Sequence, residues 1–345
     1  MAAPNYKLPV SYEWNVTLEQ SLGPNTAFSL AYVGSTGHSL QSTEQYIFAS
    51  PGTPGVPVSA NFSGLSVIGN LGKSAYHSLQ AQVHSRFTKQ FELLTSYTWS
   101  HGVDNGSNDA VQFIPSGIAN PSLNRGDSDY DVRNSVSEAL TYNIPSVNWH
   151  NPLSQVLKNW ALNNLFSAHS SLPFDVDSYN YSYVTNGGYY TLRADTVPGQ
   201  PQWLYAKYLP GTHNLVPGGK YLNALAFTDP PASAEQGDLR RNSLRGFNYW
   251  QLDFGIHRQF PITKSLGVQF RAEMFNILNH PNFASPGLSG SNYVGYTAPG
   301  TPFVFGESTE SYGSGLGGGG NTGGFNPLFQ QGGPRAIQMA LRVEF

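Results

Sequence analysis

The densest run of chemistry-bearing side chains is Asp127-Ser128-Asp129-Tyr130-Asp131, followed by Glu138. Counted from Asp127, the acids fall at positions 1, 3, 5 and 12, the spacing of a calcium-binding loop. Position 6, where such a loop turns sharply on glycine, is Val132, and no helical pattern flanks the run. Asp127, Asp129, Asp131 and Glu138 therefore only imitate a calcium site, and no metal or other cofactor is expected. His101 lies near Asp104 and Asp109, a second grouping with the types to hold a metal or exchange protons. His77 and His84 are seven apart, an odd spacing that puts them on opposite faces of a strand. No Gly-x-Ser-x-Gly or His-Glu-x-x-His run occurs, so nothing supports a hydrolase. The chain has no cysteine, which excludes disulfides, thiolate zinc sites and Cys nucleophiles. Gly313 to Gly324 is glycine-rich but lacks the Lys-Ser/Thr pair of a phosphate cradle and reads as a flexible loop. The chain is not expected to be an enzyme.

The elements that would carry these residues repeat with period two. The clearest is the C-terminus, where Ile337, Met339, Leu341, Val343 and Phe345 alternate with Gln338, Ala340, Arg342 and Glu344. Residues 266–274 set Leu266, Val268, Phe270, Ala272 and Met274 against Gln269, Arg271 and Glu273. Segments 11–22, 79–87, 91–99 and 249–260 read alike, and 27–33, 134–144 and 160–169 do so less cleanly. Nine candidate strands result. Short turns at 23–25, 88–90 and 261–265 alternate with long polar stretches at 38–75, 103–133, 175–248 and 281–333, the link 146–159 being the exception. A compact soluble domain seldom holds several structureless loops of more than about 15 residues. Transmembrane barrels, by contrast, have short turns on one side and long loops on the other.

Composition agrees. Charged residues are 11% of the chain, against roughly 25% in soluble proteins. Net charge is −3 without a basic run, which argues against nucleic acid as a partner. On the apolar faces the charged or polar exceptions are Arg258, Glu138 and Asn164. Aromatics such as Trp14, Trp99, Tyr142, Trp160, Trp250, Phe260 and Phe345 cluster near strand ends, as an interfacial girdle would. The first residues, Met1 to Pro9, lack the charged head and apolar core of a signal peptide. Nine is odd, and an open edge in lipid leaves backbone groups unpaired, so a hidden tenth strand or further upstream strands are expected.

In this order, the segments SYEWNVTLEQSLG, FSLAYVGSTGHSL, YHSLQAQVHSRF, FELLTSYTWSHGVDN, LNRGDSDYDVRNS, SLPFDV, LRGFNYWQLDFGIHRQFPI, LGVQFRAEMFNILNHPNF and PRAIQMALRVEF resemble the barrel half of the Oar-like TonB-dependent receptors. The likeness runs from about Tyr12 to Phe345. It implies an all-β fold: nine or ten antiparallel transmembrane strands of a barrel of about 22, with long extracellular loops. It implies that residues 1–345 are the C-terminal part of that barrel domain, without signal peptide, plug or regulatory domain. It further implies the outer membrane, uptake of a bulky nutrient such as a glycan or metal chelate, and contact with TonB only through a plug that this segment lacks. Outer-membrane lipid and the barrel-assembly machinery are the other implied partners. The machinery would read Ile337, Met339, Leu341, Val343 and Phe345 as its C-terminal signal. Gln269, Arg271, Glu273, Gln338, Arg342 and Glu344 would face the lumen, toward plug or substrate. The Asp127–Asp131 run would lie at the base of an extracellular loop and pair with Arg125 and Arg133. Asn276, Asn279 and His280 would cap a loop. The competing expectation is a secreted, soluble all-β module that binds carbohydrate or mediates adhesion.

Overall fold

The computed structural model describes residues 2–47, 64–107, 112–113, 121–145, 158–185, 188–211, 213–231, 234, 236–263, 266–286, 293–294, 305–315 and 331–345. Nine strands form its wall: β1 (Val10–Ser21), β2 (Thr26–Ile47), β3 (Gly64–Arg86), β4 (Phe91–Asp104), β5 (Asn134–Asn143), β6 (Trp160–His169), β7 (Tyr249–Pro261), β8 (Gly267–Phe275) and β9 (Ala336–Glu344). Each pairs antiparallel with the next in sequence, giving an all-β meander. The sheet is not closed, because β1 and β9 do not pair with each other. No described helix is long and apolar enough to cross a membrane, which leaves crossing by strands untouched.

The short turns follow from local chemistry. Leu22 N–H donates to Thr26 O at 2.8 Å, while Gly23 takes φ +89°, a conformation that favours glycine. At the β3–β4 turn the Thr88 hydroxyl accepts from the N–H groups of Gln90 and Phe91. Thr263 does the same for Leu266 between β7 and β8.

Register then decides the faces. Val268 lies across from Val343 and Phe260, Phe270 from Leu341 and Arg258, and Met274 from Ile337 and Phe254. In the paired stretches of the nine strands alternate residues share this face, which is apolar apart from residues such as Arg258, Glu138 and Asn164. Its members include Trp14, Val16 and Leu18 on β1, Tyr97 and Trp99 on β4, and Met339 and Leu341 on β9, all at least 40% exposed. The outward side of the wall thus has large apolar groups and nothing packed over them. Arg258 lies on that face against the rings of Phe260 (4.2 Å to the centroid) and Trp160 (5.4 Å), a cation–π arrangement that shields its charge.

Two sequence expectations are corrected. The stretch 38–75 is not all loop: β2 and β3 run 22 and 23 residues, with register shifts between Gly37 and Ser42. Strands of that length span roughly 70 Å, whereas 9–11 tilted residues cross a bilayer, so the hairpin projects far beyond it. Nor is 175–248 structureless. It folds as a cap: a hairpin of Asp177–Thr185 with Gly188–Arg193 joins the main sheet where Gly188 pairs with Tyr46, and three small ladders pair Pro173–Phe174 with Leu244–Arg245, Asp195–Thr196 with Phe227–Thr228, and Trp203–Tyr205 with Lys220–Leu222. Phe174, Val176, Ala194, Leu222, Ala226, Phe227, Leu239 and Leu244 are buried together there, with Trp203, Val294 and Phe305 packed against them. The polar composition of the stretch hides this core, because its apolar residues are far apart in sequence and meet only on folding. The link 146–157, Asp109 and most of the Gly313–Gly324 run lie outside the described residues.

Candidate functional site

The cap meets the wall through a cluster of carboxylates and arginines. Asp104 ends β4, and Gly126–Asp127 pairs antiparallel with Val103–Asp104, which brings Asp127, Asp129 and Asp131 to the outer end of the wall. From the cap, the arch 239–248 lowers Arg241, Asn242 and Arg245 onto them. Arg241 donates to Asp104 Oδ1 at 2.5 Å and to Asp129 Oδ1 at 2.9 Å, and Arg241 and Asp104 are both buried. Arg245 pairs with both Asp127 and Asp131 and also donates to the Asp131 carbonyl at 2.7 Å. Asn242, at φ +55°, donates through Nδ2 to Asp129 Oδ1 at 2.6 Å and to the Asp127 carbonyl at 2.8 Å. The approach is so close that a Cβ on Gly126 would collide with the Arg241 carbonyl.

Arg133 completes the cluster from the wall side, 3.1 Å from Asp127 and 2.8 Å from Asp131. Burial works to raise the Asp131 pKa. The Gly102 N–H, donating to its Oδ1 at 2.6 Å, and the Arg245 and Arg133 guanidiniums outweigh that and hold it below the ordinary value. Arg193, 4% exposed, extends the polar seam: it donates to Leu239 O, Leu123 O and Asn124 Oδ1 at 2.7–2.9 Å. Beside it, burial pushes Asp177 up to about 7, reinforced by the neighbouring Asp175 and opposed by Arg193.

The calcium set does not assemble. Asp127, Asp129 and Asp131 come together, but Glu138 sits across from Thr95 and Phe166 in the middle of β5, on the outward face. A strand extends about 3.3 Å per residue, which carries Glu138 well away from a turn where a calcium loop would fold it back. His101, Asp127 and Asp131 do place donor atoms within 4.8 Å of one another, a possible metal set by distance alone. Arg133 and Arg245 already neutralise both of its carboxylates, so the residues present do not fit a cation. Among the described residues the expected partner Arg125 takes no part in these pairs, while Arg133 does. Asp104 turns to Arg241 instead of sharing a site with His101.

Sequence reasoning did not find Arg241 and Arg245, which lie 112–137 positions from their aspartates. A usable signal was present: in a chain with so few charges, three arginines within LRRNSLR must answer an acidic run elsewhere. The polar-face residues fall into one register. Gln269 lies across from Arg342 and Glu273 from Gln338; Arg271 bonds Glu273 at 2.6 Å, and Glu344 accepts from Gln259 at 3.2 Å. Asn276 and Asn279, both at positive φ, close the loop after β8: Asn276 donates to His280 O and Gly333 O, and Asn279 accepts from Arg335 N–H.

A meander whose outward face is apolar and uncovered, whose other face is polar and whose long connections gather at one end is a membrane-spanning β-wall with an external cap. The family model for an outer membrane beta barrel domain matches residues 1–319, and the chain belongs to that family. No curated protein matches the sequence. Among solved structures it is similar to the outer membrane transporter YddB from Escherichia coli, at 13% identity and a TM-score of 0.47, covering 80% of this chain and 29% of that one. A FadL homologue from Pseudomonas aeruginosa follows at 10% identity and a TM-score of 0.21, covering 77% and 60%. The ferric-catecholate import receptor Fiu from E. coli K12 follows at 12% and 0.16, covering 80% and 51%. The chain spans less than a third of the length of YddB.

Proposed function

We propose that this chain supplies wall and outer cap to an outer-membrane importer of the Oar-like, TonB-dependent kind, which takes up a bulky nutrient. The observation that carries the reading is the pairing of an uncovered apolar face with an ordered cap latched over the outer end of the wall. In this reading Gln269, Arg271, Glu273, Gln338, Arg342 and Glu344 face the lumen. Ile337, Met339, Leu341, Val343 and Phe345 face lipid and serve the assembly machinery. Further strands of the same barrel close the edges of β1 and β9, since a bare edge in hydrocarbon costs several kcal/mol per unpaired group. TonB acts through a plug contributed outside this segment, and no step of catalysis is assigned to the chain.

Two measurements test it. Purified chain should require detergent micelles and give a β-type circular dichroism spectrum. A monodisperse, cooperatively melting protein without detergent would point to the secreted binding module instead. In cells, deleting the gene should abolish uptake of one bulky nutrient that a protonophore also blocks. Uptake insensitive to the protonophore would remove the TonB coupling.

A further inference from the structure

The outward face of the wall carries aromatic rings at both ends. Trp99 and Trp250 stand at the outer end, and Phe91, Trp160 and Phe260 at the inner end, beside the short turns. On β7 the two levels are marked by Trp250 and Phe260, ten residues apart. At about 3.3 Å per residue and a tilt of roughly 40°, they are separated by about 25 Å of height, the apolar band of a membrane barrel.

On that scale Arg258, two residues short of Phe260, sits about 5 Å inside the inner belt. It lies directly across the ladder from Trp160. Its guanidinium is nearer the Phe260 ring (4.2 Å to the centroid) than the Trp160 ring (5.4 Å), so the side chain turns toward the inner rim and away from the midplane. Trp160 in turn meets the Phe270 ring edge to face at 6.4 Å. The rings thus frame a cation at the level of the lipid phosphates on the short-turn side, where a long basic side chain keeps its head in a polar layer.

Charge at this end favours an anion. The inner connections, 23–25, 88–90, 146–159 and 261–265, hold Lys89, Lys158 and Lys264 and neither Asp nor Glu. Lys158 adjoins the same corner, because the next residue, Asn159, accepts from Gln259 N–H through its carbonyl at 3.4 Å. Glu344 lies at this end too, but on the polar face, where it accepts from Gln259 at 3.2 Å. Apart from Arg258 and Asn164, the outward residues of β6–β9 are apolar. A guanidinium fork matches a phosphate group, and the flat rings beside it suit the apolar part of the same molecule.

We propose that the inner corner of β6, β7 and β8 binds an anionic phospholipid of the leaflet on the short-turn side. Its phosphate accepts from Arg258, and its upper acyl chains lie along Trp160 and Phe260. The site rests on the part of the proposed function that puts the outward face in lipid; it needs neither nutrient nor TonB.

The test is native mass spectrometry of the full chain, released from micelles that contain equal amounts of phosphatidylglycerol and phosphatidylcholine. One phosphatidylglycerol retained in preference to phosphatidylcholine is expected. Arg258→Gln should lower that occupancy about tenfold, the loss of a charge-assisted hydrogen bond. Lys89→Gln removes the same charge from the β3–β4 turn and should leave the occupancy unchanged. Trp160→Leu keeps an apolar side chain at the corner but removes the ring; it should also weaken retention, and serves as the test should the first variant not fold. Equal retention of the two lipids, unchanged occupancy in both corner variants, an equal loss in Lys89→Gln, or displacement of the lipid by inorganic phosphate would overturn the site. A chain that inserts into micelles as β-sheet yet takes the two lipids equally loses the site and keeps its wall in lipid. A chain that is monodisperse without detergent loses the wall reading and the site with it.

Discussion

The wall and the cap solve the same problem of apolar burial in opposite ways. On the wall, Val16, Leu18, Met339 and Leu341 stand 61–73% exposed, and the sheet holds together through its backbone ladders. In the cap, Val176, Leu192, Ala194 and Leu222 are at most 1% exposed, around a core of their own. In the proposed reading the wall leaves its apolar side chains for a solvent that is itself apolar, while the cap hides its own from water. Charge follows the same division. The wall shields or pairs its few charges locally, as with Arg271 and Glu273, whereas the cap reaches across more than a hundred positions to Asp104 and Asp127. The lesson is that solvent, more than composition, decides where each region keeps its core.

The contrast breaks hardest where the two regions meet. Arg241→Ala leaves buried Asp104 without its partner, at a cost of about 3–5 kcal/mol. Hydrogen exchange should then rise across 171–248 while the β1–β9 amides stay protected; uniform loss of protection would mean that wall and cap fold as one unit. Next in size is Met339→Arg, which sets a cation near the middle of the outward face of β9 and costs about 2–4 kcal/mol if that face meets lipid. Refolding yield into micelles should drop, with cap ladders unaffected once folded. An unchanged yield would place β9 against water or protein.

The last effect concerns pH. Asp177 is raised from 3.8 to about 7, so its folded form holds a proton more tightly than the unfolded form does. Its contribution to cap stability is fully present below pH 3.8 and is lost as pH rises through about 7. Relative to Asp177→Asn, the cap should therefore weaken between pH 4 and 7, read by proteolysis of 171–248. A flat difference would show that Asp177 stays solvated. Asp131 has the opposite sign, since its lowered pKa makes its latch to Arg245 fail as pH falls.

Much of the wall was legible without coordinates, because a strand writes its faces into every second residue. The alternation at 249–260, 266–274 and 337–345 gave both the strands and the faces that the register later matched. Glu138 was visible as a flaw in that pattern, and its place on the outward face of β5 is why it never joins the aspartates. The far ends of β2 and β3 were missed because glycine and serine there blur the alternation.

The sequence by itself thus determined period, face and the scarcity of charge, since these depend on neighbours one or two residues away. Only the tertiary structure decided that 175–248 carries a core, that Arg241 and Arg245 answer the aspartates, and that Trp160 and Phe260 frame Arg258. Each of those depends on which distant segments share space, and a local pattern carries no record of that. The physical reason is that strand pairing is set by the backbone and its solvent, while the cap is held by side chains whose partners are chosen by three-dimensional reach.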